Sequence, residues 1–191
     1  MNSDVLFFVE TWTLPEEEYN IPNFTEIHRI DGSAGTGERS KRGIIVFGKQ
    51  NIANSLEFVS CSDLSSNKQT YQNVVTRYMN IYFVVLYRNS KFPISALSDI
   101  LSEVMDSISL HDNAKLVIIG DFNICRKTND SQIENILAQK RLHSLFDKKV
   151  ITTVGGTQID WVWTNINTDQ LNCSTFETAH SYHDGIALTI K

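Results

Sequence analysis

KLVIIGDFN, residues 115–123, is the stretch on which the reading of this sequence turns. Its apolar run at 115–119 has the length and β-branched content of a buried strand, and Gly120 ends it directly in front of Asp121. Residues two apart in extended chain lie on one side, so Asp121 and Asn123 can meet a single phosphate or water together. The alternative is a turn in which the same two side chains satisfy backbone groups.

Working outward, comparable short runs recur at 5–9, 43–47, 56–61, 80–87, 159–164 and 185–190, with turn formers between several of them. Between two of these strands, Ile94, Leu97, Ile100, Leu101, Val104, Met105 and Ile108 recur at helical spacing behind Pro93, which predicts an amphipathic helix packed on a sheet. A second helix is expected over 131–144, capped by Asn129, Asp130 or Ser131, with Ile133, Ile136, Leu137 and Leu142 on its buried side. Many strands and few helices indicate an α+β or layered α/β sandwich, in one domain over residues 1–191.

Composition narrows the function classes. With 41% hydrophobic and 20% charged residues the chain can bury a substantial core. No window approaches a membrane span, and the N-terminal apolar run lacks a basic stretch before it, so a soluble, intracellular protein of nucleus or cytoplasm is expected, with no membrane partner. Cys61, Cys125 and Cys173 are odd in number and far apart, which suits reduced thiols rather than a disulfide frame or a zinc site. Sequons at Asn23, Asn129 and Asn172 carry little weight without a secretory leader. A net charge of -5 argues against tight nonspecific binding to nucleic acid, although a site gathering carboxylates around a cation accounts for part of it.

Two further constellations stand beside GDFN. In IDWVWTN, Asp160 interrupts an aromatic, β-branched strand, and a buried acid needs a partner. His183, just before the closing strand, is the natural one: a carboxylate on one ring nitrogen fixes the tautomer and leaves the other for a proton or a phosphate oxygen. Glu10 ends the first apolar strand, and Mg²⁺ commonly takes only one or two protein carboxylates. Each residue alone has a structural alternative: a buried pair for Asp160 and His183, a cap or surface acid for Glu10.

The order of these pieces, ETW after the first strand, GIIVFGK, VVLYRN, GDFN, IDWVWTN and a terminal Ser-x-His, resembles the endonuclease/exonuclease/phosphatase (DNase I-like) superfamily over nearly the whole chain. Within it the pattern is similar to the endonuclease domains of non-LTR retrotransposons and related mobile elements. The resemblance implies two packed, mainly antiparallel sheets flanked by helices and Mg²⁺-dependent hydrolysis of nucleic acid, with DNA nicking as the expected activity and Mn²⁺ able to substitute. It implies a metal-binding role for Glu10, a phosphate-side role for Tyr87, water orientation and phosphate contact for Asp121 and Asn123, and an acid–histidine pair in Asp160 and His183.

Two departures accompany it. The family's opening strand, which carries a catalytic asparagine, and the helix after it have no counterpart here, and Ser181-Tyr182-His183 stands where Ser-Asp-His is usual. A catalytically degenerate binding or scaffold module, or a phosphatase of a lipid or small phosphate ester, is therefore the alternative expectation. Asp184 is expected to be a turn or surface acid, because neighbours in a strand face opposite sides. Arg88, beside Tyr87, is the cation preferred for substrate contact over Arg39, Lys41 and Arg42. GSAGTG at 32–37 lacks the Lys and Ser/Thr of a phosphate loop. Trp161 and Trp163 share one strand face and are expected in the core, while His28, His111, His143 and His180 have no evident partners.

Overall fold

The structure, a computed structural model, describes residues 3–32, 42–66, 68–109, 113–126, 131–179 and 181–191. Eleven strands and two helices follow one another along these: β1 (Val5–Val9), β2 (Phe24–Ile30), β3 (Ile44–Lys49), β4 (Leu56–Ser66), β5 (Gln69–Tyr78), β6 (Ile81–Arg88), α1 (Ile94–Ser109), β7 (Lys115–Asp121), α2 (Ser131–Gln139), β8 (His143–Ser144), β9 (Asp160–Thr164), β10 (Leu171–Phe176) and β11 (Gly185–Ile190).

A six-stranded sheet in the order β4-β5-β6-β7-β9-β8 forms the centre. Its one parallel pair, β6 with β7, is joined through α1, since a parallel crossover needs a connection long enough to return the chain. Leu97, Leu101, Met105 and Ile108 of α1 are buried, as their helical spacing predicts, against Val84, Leu86, Leu116 and Ile118 on one face of the sheet. Trp161 and Trp163 also lie in this core, and Trp161 stacks on Phe122 with ring centroids 4.5 Å apart.

The opposite face carries two smaller sheets, β1-β3-β2 and β10-β11. The first buries Ile44 and Val46 on Val74, Val85 and Tyr87; the second packs Leu171, Ile186 and Leu188 against Val117 and Val162. The result is the expected layered sandwich of mainly antiparallel sheets.

Several elements differ from the sequence reading. β2, β5, β8 and β10 were not expected. β5 reads as polar because Gln72, Asn73 and Thr76 alternate with or adjoin apolar residues, yet all three are buried between the layers. α2 stops at Gln139, where the chain turns through Arg141 at φ +62°, and Leu142 is buried from beyond the helix end. Its expected caps Asn129 and Asp130, most of the 32–37 loop, Arg39, Lys41, His111 and His180 lie outside the described residues. His28 does have a partner, stacking on Phe58 at 4.0 Å. The three cysteines are unpaired with one another. Among the described residues no helix is long and apolar enough to cross a membrane.

Candidate active site

Strand register builds the site. Tyr87 on β6 pairs with Asp121 on β7, and Asp121 pairs with Asp160 on β9, so the three side chains form one row across neighbouring strands. Partners in register share a face of the sheet. Gly120 makes the end of β7 possible: its φ is +146°, and a Cβ there would stand 1.9 Å from the Leu86 carbonyl oxygen. Only glycine fits so close to the neighbouring strand.

Asn123 follows in a left-handed conformation, φ +49°. Asp121 accepts from the Asn123 backbone amide at 2.7 Å and from its Nδ2 at 2.7 Å, and the same Nδ2 donates to the Arg88 carbonyl at 2.8 Å. Both readings of the Asp–Asn pair therefore meet in one geometry: a local turn that also fixes Asp121 within the site.

His183 reaches the row from the loop before β11. Its Nδ1 lies 2.9 and 3.0 Å from the two Asp160 carboxylate oxygens. Its Nε2 faces Glu10 and Asp121, 4.0 and 3.9 Å away. The hydrogen bond to Asp160, assisted by the negative field of Asp121 and Glu10, overcomes partial burial and pushes the imidazole up to about 9. Burial and the Asp160 carboxylate hold the Asp121 carboxyl well above the usual carboxylate range, against the opposing pull of His183 and the Asn123 amide. Tyr87 is raised by burial and then by its hydrogen bond to Glu10.

Glu10 sits just past β1 at φ +52°, a conformation uncommon for a residue with a side chain. Ligand atoms of Glu10, Asp121 and His183 lie within 4.8 Å of one another. The donor set fits a hard divalent cation that keeps several waters, and a cation there would offset the mutual repulsion that raises Asp121.

Six of the residues singled out in the sequence thus converge: Glu10, Tyr87, Asp121, Asn123, Asp160 and His183. Arg88 does not join them, which corrects its expected substrate contact. Next to Tyr87 on the same strand it faces the helical side, where it is 3% exposed and donates to the carbonyls of Phe92, Phe122 and Asn123. It anchors the loop that carries Asn123. Asp184 is half-buried and its amide donates to the Thr152 carbonyl. Tyr182 is 56% exposed, its ring edge-on to His183 and its hydroxyl lying over Gly155, where a Cβ would stand 1.8 Å from it.

Thr152 and Thr153 escaped the sequence reading. The buried Thr152 hydroxyl accepts from the Ile159 and Asp160 amides, and Thr153 bridges to His183, so this segment fixes the distance between acid and histidine. The available signal was a Gly-Gly turn between threonine-flanked arms in TTVGGTQID.

The chain is similar over nearly its full length to solved structures of one fold. An endonuclease/exonuclease/phosphatase family protein from Leptotrichia buccalis matches at 12% identity, covering 98% of this chain and 87% of that one, with a TM-score of 0.58. The endonuclease domain of TRAS1, a telomere-specific non-LTR retrotransposon, matches at 16% identity over 90% of this chain and 80% of its own, TM-score 0.59. The cytolethal distending toxin of Haemophilus ducreyi matches at 10% identity over 98% and 85%, TM-score 0.61. No protein-family model matches the sequence, and no curated protein does. The chain has the DNase I-like fold of the endonuclease/exonuclease/phosphatase superfamily.

Proposed function

We propose that this chain is a divalent-metal-dependent phosphodiesterase acting on nucleic acid, an endonuclease of the mobile-element kind that nicks DNA. The observation that carries the proposal is the joining of the Tyr87–Asp121–Asp160 row to His183, whose free nitrogen faces two carboxylates. A hydrogen-bonded histidine aimed at an acidic cluster is a poor device for stability and a good one for positioning a proton beside a phosphate.

Glu10, with Asp121 beside it, would hold Mg²⁺ or Mn²⁺, which when bound neutralises the scissile phosphate and the leaving oxygen. The protein's own residues divide the remaining work. Asp121, made more basic by burial, accepts a proton from the attacking water, and Asn123 fixes its orientation. His183, protonated at neutral pH, presents Nε2–H to a phosphate oxygen as charge develops there, while Asp160 holds its ring. Tyr87 steadies Glu10 from below.

Nucleic acid as substrate is supported by the similarity to the TRAS1 endonuclease domain. A phosphatase of small phosphate esters is the second reading, favoured by the similarity to a mannosyl-6-phosphatase of Bacteroides thetaiotaomicron at 11% identity and TM-score 0.56. Tyr182, standing where an acid is expected, is what favours a binding module without catalysis. Nicking of supercoiled plasmid with Mg²⁺ or Mn²⁺, beside EDTA and the Glu10→Ala, Asp121→Ala and His183→Ala variants, tests the three. Metal-dependent nicking lost in all variants is expected. Hydrolysis of p-nitrophenyl phosphate without nicking would move the function to monoesters, and neither activity in folded protein would leave the binding module.

A further inference from the structure

The two layers of the sandwich do not match in strand number. β2 contacts β4, β3 contacts β5 and β6, and β1 contacts β6, whereas β10 and β11 pack on Val117 of β7 and Val162 of β9. The second layer therefore reads β2-β3-β1, an interval, then β11-β10: five strands over a sheet of six. The interval is a groove of about 1730 Å³ walled by β1 and β11, with Ile81, Phe83 and Ile119 among the residues of its floor. These floor side chains are only partly buried, although their neighbours Val84, Val85 and Val117 are fully buried.

Both walls present open hydrogen-bonding edges. Lys49 donates to the Asp4 carbonyl, so by the alternation of the antiparallel ladder Val5, Phe7 and Val9 turn their amides and carbonyls away from β3 and into the groove. Lys191 donates to Gln170, which by the same rule turns Ile186, Leu188 and Ile190 away from β10 and into it. Among the described residues β1 pairs with β3 alone and β11 with β10 alone.

We propose that the groove binds an extended polypeptide segment, apolar at alternate positions, which pairs with β1 and β11 at once and joins the two small sheets into one. A lipid or other apolar ligand would fill the floor but leave two rows of amides without partners. A strand of a second copy is a poorer fit, because any strand already in a sheet has at most one free edge and the groove requires two. Charge sets the direction: the end at Glu10, Asp121 and Asp160 is acidic, so the segment carries an amide or basic side chain there and no acid.

A synthetic peptide alternating valine and threonine between terminal lysines is the probe, with the full chain and amide hydrogen exchange as readout. Exchange at Val5, Phe7 and Val9 and at Ile186, Leu188 and Ile190 should slow together, by about tenfold or more at saturation, with a rise in thermal midpoint. The same peptide with proline at each threonine, unable to donate, should do neither. No protection, or protection of a single wall, overturns the proposal. So does a dimer by light scattering whose two edges are protected without peptide, which would assign the groove to a second copy. This binding does not depend on the proposed chemistry: protection without plasmid nicking leaves it standing and counts against the nuclease reading alone.

Discussion

Replacing Asp160 with Asn keeps the side chain's size and removes the charge that holds His183. In the native site both carboxylate oxygens lie within 3.0 Å of Nδ1, and this bond is the main reason the imidazole titrates at about 9. Asn offers one oxygen and no charge, and burial, which lowers the histidine, then meets only the weaker fields of Asp121 and Glu10. The ring should fall to the ordinary histidine range near 6.5 or below. At pH 8 roughly nine-tenths of native His183 carries the proton, against roughly 3% in the variant, a loss of about thirtyfold in the form proposed to meet the phosphate. The assay is an NMR titration of the imidazole in metal-free protein, paired with plasmid nicking at pH 8. Activity should fall by at least that factor, and by about 10² to 10⁴ if the tautomer is lost as well. A variant whose His183 still titrates near 9, or whose nicking is unchanged, would refute the reasoning.

Arg88→Met should destabilise the fold by roughly 3 kcal/mol in urea titration, because it leaves the buried carbonyls of Phe92, Phe122 and Asn123 short of a donor. Thr152→Val keeps the shape but removes the acceptor for the Ile159 and Asp160 amides. A cost of about 1–3 kcal/mol is expected, with lower kcat and unchanged Mn²⁺ affinity by calorimetry. Metal-free protein should lose stability as pH rises. His183 is raised on folding, so its contribution is complete below 6.5 and lost through about 9, while raised Asp121 penalises the fold above the ordinary carboxylate range. Thermal midpoints between pH 6 and 9 that stay level would contradict this.

Local chemistry was legible in the sequence and long-range register was not. GDFN showed a strand ending in paired polar groups because glycine, acid and amide are neighbours in the chain. The helix of Ile94–Ser109 was readable from its period, since α1 buries a single stripe. By contrast, the row of Tyr87, Asp121 and Asp160 depends on pairing between strands far apart in sequence, and nothing in the motifs states that register. Arg88 was misjudged for a related reason: its neighbour Tyr87 faces the site, and alternation sends Arg88 to the helical side. β5 was missed because its buried Gln72 holds the Gly43 amide at 2.7 Å, a task between layers that makes a core strand look like a surface one.

Buried acids beside one another weaken a fold, and this fold gathers three around a single histidine. Asp121 is nearly inaccessible, Glu10 and Asn123 sit at positive φ, and the ring of His183 cannot offset all of the negative charge. Such local cost persists where the surroundings over-determine it, and here the strand register and the Thr152 segment do so. A divalent cation would relieve the repulsion only in the folded state, which couples metal binding to stability. At a concentration about one hundred times its dissociation constant, Mg²⁺ or Mn²⁺ should stabilise the protein by about 2.7 kcal/mol. Because the repulsion grows as Asp121 ionises, the gain should be larger at pH 8 than at pH 6. Thermal melts with metal and with EDTA measure it without reference to catalysis, and Glu10→Ala should abolish the difference. Equal midpoints with and without metal at pH 8 would mean that the acids are balanced by the protein alone, and the site would then lose its reason for holding them together.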